Sequence, residues 1–160
     1  MRRVPARPAQ RVPAAGIVEP AAGIVEQAAN AVHAWSPAGA PAGARVGVFG
    51  AGAIGLSCLL VALAGEAAYV EVAGCAPAAR RSGWAWPTRR PASTRPALVR
   101  GEQRVPGSFA YTDEDFATAV RTVGEWDVSW VRTCPLADGA ELFTALMNGR
   151  DTPVKALLSP

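Results

Sequence analysis

From Val46 to Gly65 the chain reads "VGVFGAGAIGLSCLLVALAG", without one charged residue. Hydropathy alone accepts such a run as a membrane-spanning helix. Its glycines suggest another partition. Gly50, Gly52 and Gly55 have the G-x-G-x-x-G spacing of a phosphate-holding turn, and "RVGVFG" before them has the β-branched and aromatic bulk of a short strand. "AIGLSCLLVALA" follows as an apolar helix and "AYVEVAG" as a second strand. Strand, glycine turn, helix and strand together open a parallel βαβ unit. In that context Gly50 allows a tight turn, Gly52 the close approach of an anion, and Gly55 close helix–strand packing. The expected cofactor-binding residues are therefore Gly50, Ala51, Gly52, Ala53, Ile54 and Gly55. A strand and helix buried between layers would also explain the lack of charge. The membrane alternative expects basic or aromatic residues at both borders, whereas Arg45 stands at one and Glu66 at the other.

The net charge of +3 is unevenly placed. Seven arginines (Arg80, Arg81, Arg89, Arg90, Arg95, Arg100 and Arg104) fall between Ala76 and Pro106 with one acid, Glu102. That segment also holds five prolines and "GWAWP", and has no apolar period for helix or strand. Arginines and tryptophans could contact phosphates and bases. Nothing fixes them in a groove, so solvated irregular chain is expected and nucleic acid is not an expected partner. Cys58, Cys75 and Cys134 are odd in number and form no CxxC pair, which fits a reducing, cytoplasmic setting without a disulfide framework. The basic start "MRRVPARPAQRVP" lacks the apolar run of a signal peptide.

Four regions follow. Residues 1–13 read as disordered, 14–75 as the start of a nucleotide-binding domain, 76–106 as the irregular segment, and 107–160 as a second ordered part. "AAGIVEP" followed by "AAGIVEQ" is a local duplication rather than a repeat architecture. "EQAANAVHAW" reads as a helix ending before the Pro/Gly-rich "SPAGAPAGA". Thr112 with Asp115, and Asp138 with Glu141, are spaced as capping boxes. Leu142, Phe143, Leu146 and Met147 fall on one helix face, Gly149 stops that helix, and "PVKALL" reads as a closing strand.

Several of these pieces resemble one family in its own order. "GARVGVFGAGAIGLSCLLVALAGEAAYVEVAG" is similar to the cofactor-binding segment of medium-chain, zinc-type alcohol and polyol dehydrogenases, the sorbitol and butanediol dehydrogenase group. "EQAANAVHAW", "LVRGEQRVPGSFAYTDEDFATAV" and "CPLADGAELFTALMNGRDTPVKALLSP" resemble the family's helix before that strand, its late segment and its C-terminal end. The resemblance implies an α/β fold with a partial Rossmann-like parallel sheet and flanking helices. It also implies NAD or NADP as cofactor, and hydride transfer to or from an alcohol or polyol with zinc polarising the oxygen. The family's N-terminal catalytic domain, with its zinc cysteine and Gly-His-Glu motif, has no counterpart in these residues, so a truncated or internally deleted derivative is expected. The odd middle has one genetic explanation, held as a hypothesis. "GWAWP" reread from the third base of its glycine codon resembles the family's helix ending in Leu-Gly-Ala, and resequencing the locus would expose such a frameshift.

By that resemblance Glu26 corresponds to a glutamate near the catalytic zinc, and it is the candidate metal residue. A solvated carboxylate at a helix start is the alternative. Zinc is not expected to bind here, because catalysis needs about three protein ligands and the chain has one histidine, His33. His33 reads as a helix-surface residue beside Trp35, and Cys58 as a core residue. NAD-binding units usually end the second strand with an acid, yet that place falls near Gly74 and Cys75, with Glu71 inside the strand. Arg80 and Arg81 could instead meet the 2′-phosphate of NADP, but surface arginines on a following helix are the commoner reading. Two strands alone leave an open sheet edge, so a homo-oligomer or aggregate is expected if no later strand joins them. The rival functional readings are a non-catalytic nucleotide-binding module and a gene fragment without function.

Overall fold

The computed structural model describes residues 19–73, 99–102, 104–150 and 153–160. The expectations for residues 1–13 and for most of 76–106, and the positions Gly74, Cys75, Arg80 and Arg81, lie outside the described residues. Among the described residues the fold is mixed α/β, with five helices and two small parallel two-stranded sheets. Its elements run α1 (Glu19–Ala22), α2 (Val25–Ala38), β1 (Arg45–Phe49), α3 (Ala53–Ala64), β2 (Tyr69–Ala73), α4 (Asp113–Thr122), β3 (Val131–Pro135), α5 (Gly139–Met147) and β4 (Lys155–Ser159).

The uncharged run is divided as its glycines suggested. Strand, turn and a twelve-residue helix occupy it, and no helix of the described residues is long and apolar enough to cross a membrane. β1 and β2 pair in parallel with Arg45 opposite Tyr69 and Phe49 opposite Ala73. The expectation of burial on both faces fails. Exposed and half-buried residues alternate along β1, and Phe49 is 91% exposed. Helix α3 packs on this pair, but no described element forms a second layer over Arg45, Gly47 and Phe49.

Helix α2 is the central support, packed against α3 and against α4. Small residues make that possible: Ala28, Ala29 and Ala119 are fully buried, so the backbones of α2 and α4 approach closely. Ala21, Val25 and Val123 complete the cluster, with Tyr111, Phe116 and Trp126 among the residues around it. On the α3 side, a methyl group on Gly65 would lie 2.7 Å from the Trp35 ring, so the indole sits directly over that helix end.

Two boundaries differ from expectation. Helix α2 does not stop at Trp35 but runs through Pro37 to Ala38, where Gly39 at φ 58° ends it. Proline in a last turn loses one hydrogen bond without breaking the turns before it, and the left-handed glycine then supplies the stop. At α5, Asp138 makes no side-chain cap, because a 3-10 turn over Leu136–Asp138 feeds the helix directly. Only Leu142 of the expected apolar face is buried, while Phe143 and Met147 are 64% and 73% exposed. The Thr112–Asp115 capping box forms as expected, with Thr112 N–H donating to Asp115 Oδ2 at 2.8 Å and Asp115 N–H to Thr112 Oγ1 at 3.2 Å.

The closing strand β4 forms, and its partner is β3, a strand not expected from the sequence. These two make their own sheet rather than extending β1–β2. Gly23, at the α1–α2 junction, lies where any Cβ would overlap the Leu157 side chain, so the second copy of the duplicated heptapeptide packs on β4.

Candidate functional site

The glycine turn begins at the last rung of the sheet. Gly50 N–H donates to Ala73 O at 2.8 Å, and the backbone then swings through φ 114°, a region that side chains rarely adopt. Gly52, at φ −86° and ψ −178°, is the N-cap of α3, and no side chain caps the helix there. The first-turn N–H groups therefore remain for another acceptor. Gly55 is packed so tightly that a Cβ would overlap the Gly50 carbonyl oxygen and stand 3.5 Å from Val48 Cγ1. A Cβ on Gly52, by contrast, would meet no atom within 4 Å. One glycine is thus required by packing and another leaves open space before the helix.

That space belongs to an open cleft of about 550 Å³. Gly50, Gly52, Ala53, Ile54 and Gly55 line it, together with Glu26 and Gln27 from α2 and Lys155 from β4. Ala51 is exposed in the turn and is not part of the lining. The fold therefore brings Glu26 to the same cleft as the glycine turn. Uncapped amides at the start of α3 place partial positive charge there, and the Lys155 ammonium adds a full one, which suits an anionic group. Gln27 Oε1 is buried without a hydrogen-bond partner, an acceptor that an incoming donor would satisfy. Sequence reasoning missed Lys155 and Gln27 as site residues; neither sits in a motif, and only the packing of α2 and β4 brings them to the turn.

Glu26 is exposed, and its Oε1 accepts a 2.7 Å hydrogen bond from Asn30 Nδ2, one helical turn on. Among the described residues no three of His, Cys, Asp and Glu converge to hold a metal ion. Cys58 is half-buried rather than a closed core residue, and burial pushes its thiol pKa up. Glu71 projects on the exposed face of β2, opposite Gly47 in register.

His33 is more engaged than a surface residue beside Trp35. Its Nδ1 lies 2.9 Å from Asp115 Oδ2, joining α2 to the capping box of α4. The same oxygen accepts from Thr112 Oγ1 at 2.6 Å. The Thr112 hydroxyl contact, more than the backbone bond or His33, holds the Asp115 carboxyl below the usual carboxylate range. This cluster ties α2 to α4 and lies apart from the glycine cleft, whose lining includes none of its members.

Compared with known proteins, the chain matches no family model, and no curated protein sequence matches it.

Proposed function

We propose that residues 45–73 bind the pyrophosphate of NAD or NADP in a Rossmann-like turn, as the nucleotide-binding part of a zinc-type alcohol or polyol dehydrogenase lineage. The observation that carries this reading is the contact of Gly55 with the Gly50 carbonyl, which leaves no room for a side chain where strand and helix meet. An ordinary strand–helix connection does not need that closeness; a turn that folds its amides around a phosphate does.

Gly52 would let the backbone approach the anion, the amides of Ala53 and Ile54 would donate to it, and Lys155 would offset its charge. The dinucleotide, when bound, would supply the hydride acceptor or donor. The described residues do not fit a catalytic zinc, since Glu26 is engaged with Asn30 and no cluster of ligands surrounds it. No step is therefore assigned to a metal.

The second reading is a non-catalytic nucleotide-binding module, favoured by the same lack of converging ligands among the described residues. Thermal denaturation with and without NAD and NADP tests both. Stabilisation that rises with cofactor concentration supports a nucleotide site. Alcohol-dependent formation of NAD(P)H, followed by absorbance, then separates enzyme from module. If neither dinucleotide shifts the melting temperature, the nucleotide reading fails and a fragment without function remains.

A further inference from the structure

The backbone of β1 points half of its hydrogen-bonding groups away from β2. Ala44 O accepts from Ala68 N–H at 2.9 Å, and Gly50 N–H donates to Ala73 O at 2.8 Å. In a parallel pair the residues of one strand alternate in the side to which both backbone groups point. Ala44, Val46, Val48 and Gly50 thus face β2, and the N–H and C=O groups of Arg45, Gly47 and Phe49 face the other edge. Among the described residues no strand occupies that edge, because β3 and β4 pair only with each other. Beside it runs an open groove of about 470 Å³ bounded by Ala31, Ala34 and Trp35 of α2.

We propose that this edge is a self-association surface, on which two copies of the chain pair their β1 strands antiparallel about Gly47. The result is a four-stranded sheet ordered β2–β1–β1–β2. The occupant follows from the strand's own chemistry. With Gly47 opposite Gly47 of the second copy, Arg45 of each copy lies opposite Phe49 of the other. Both side chains are on the exposed face, and Phe49 is 91% exposed. A guanidinium meets an aromatic ring twice, a favourable cation–π arrangement. Arg45 now lies 5.2 Å from the Tyr69 ring centroid on the β2 side, so pairing requires its guanidinium to turn from that ring toward the second copy. On the other face the second copy's Val46 and Val48 enter the groove, where alanines of α2 leave space. The outer edge of β2 is a poorer choice, since Glu71 stands mid-strand and charge protects an edge from pairing.

The register gives a specific test on the full chain. In a background with Cys58, Cys75 and Cys134 changed to serine, Gly47→Cys and Glu71→Cys are compared under mild oxidation. Antiparallel partners lie about 5.5 Å apart between Cα atoms at a hydrogen-bonded pair, within disulfide reach. Residue 71 in the two copies is separated by three strand spacings, about 14 Å, and is out of reach. The expected result is a disulfide-linked dimer from Gly47→Cys alone. Light scattering on the unmodified chain should show a monomer–dimer equilibrium, and Gly47→Pro, which deletes an edge donor without touching the β2 ladder, should weaken it about tenfold or more. A monomer at every concentration overturns the proposal. So does equal cross-linking at both positions, or undiminished association in Gly47→Pro. If Gly47→Pro does not fold, the cross-linking pair decides alone.

Discussion

Substituting Gly52 by alanine separates binding from folding at the glycine turn. Gly52 has φ −86° and ψ −178°, an extended backbone open to any residue, and an added Cβ meets nothing within 4 Å. The free protein should therefore stay within about 1 kcal/mol of its stability, the stiffer unfolded chain offsetting the poorer N-cap that alanine makes. The same methyl would occupy the approach to the α3 amides. Losing one well-formed charge-assisted hydrogen bond costs about 1.5–3 kcal/mol, or at least tenfold in affinity. At a cofactor concentration of about 100 Kd, binding stabilises the unsubstituted chain by about 2.7 kcal/mol. A tenfold weaker variant retains about 1.4 kcal/mol at that concentration, so half the cofactor-induced shift disappears. Calorimetry with and without cofactor reads both quantities, and NADH fluorescence titration gives Kd independently. Unaltered affinity in Gly52→Ala would falsify the placement of the phosphate before α3. Gly55→Ala is the contrasting variant: overlap with the Gly50 carbonyl should cost about 1–3 kcal/mol of stability even without cofactor.

Four further outcomes are expected. Lys155→Met should weaken NAD(P)H binding several-fold at low salt and flatten its salt dependence, because it removes the full positive charge from the cleft; fluorescence titration at two ionic strengths checks this. Val123→Ala removes two carbons from the fully buried α2–α4 cluster and should cost about 2–3 kcal/mol in urea denaturation. Thr112→Ala should cost about 1 kcal/mol by removing the α4 cap. Because the Asp115 pKa is lowered on folding, its contribution is complete above the ordinary carboxylate range and is lost as pH falls through the folded value. Asp115→Asn should therefore remove part of the stability loss seen below about pH 4, measured by denaturation at successive pH values.

The βαβ opening was legible because glycine punctuates it: β1, the turn, α3 and β2 all lie where "RVGVFGAGAIGLSCLLVALAG" and "AYVEVAG" place them. Burial was not legible, because an apolar strand reads alike whether one face or two are covered. Phe49 and Phe143 show the difference, each apolar and each largely exposed. Capping patterns were legible only with the backbone that uses them. Thr112 enters α4 from an extended conformation and caps it, whereas Asp138 enters α5 from a 3-10 turn and does not. The His33–Asp115 contact joins residues 82 positions apart, and nothing local in either segment announces it. Strand β3 escaped notice because "VRTCP" mixes a charge and a proline into five residues without apolar alternation. Glu26 and the glycine turn come from separate signals, one a resemblance and the other a spacing, and the fold sets both on one cleft.

The most direct test of dinucleotide binding is the melting temperature of the full chain titrated with NAD and, separately, with NADP. Binding at the glycine turn predicts a rise that grows with the logarithm of cofactor concentration, by about 1.4 kcal/mol of stability per tenfold step above Kd, and that shrinks in Gly52→Ala. A melting temperature indifferent to both cofactors up to millimolar concentration would contradict it.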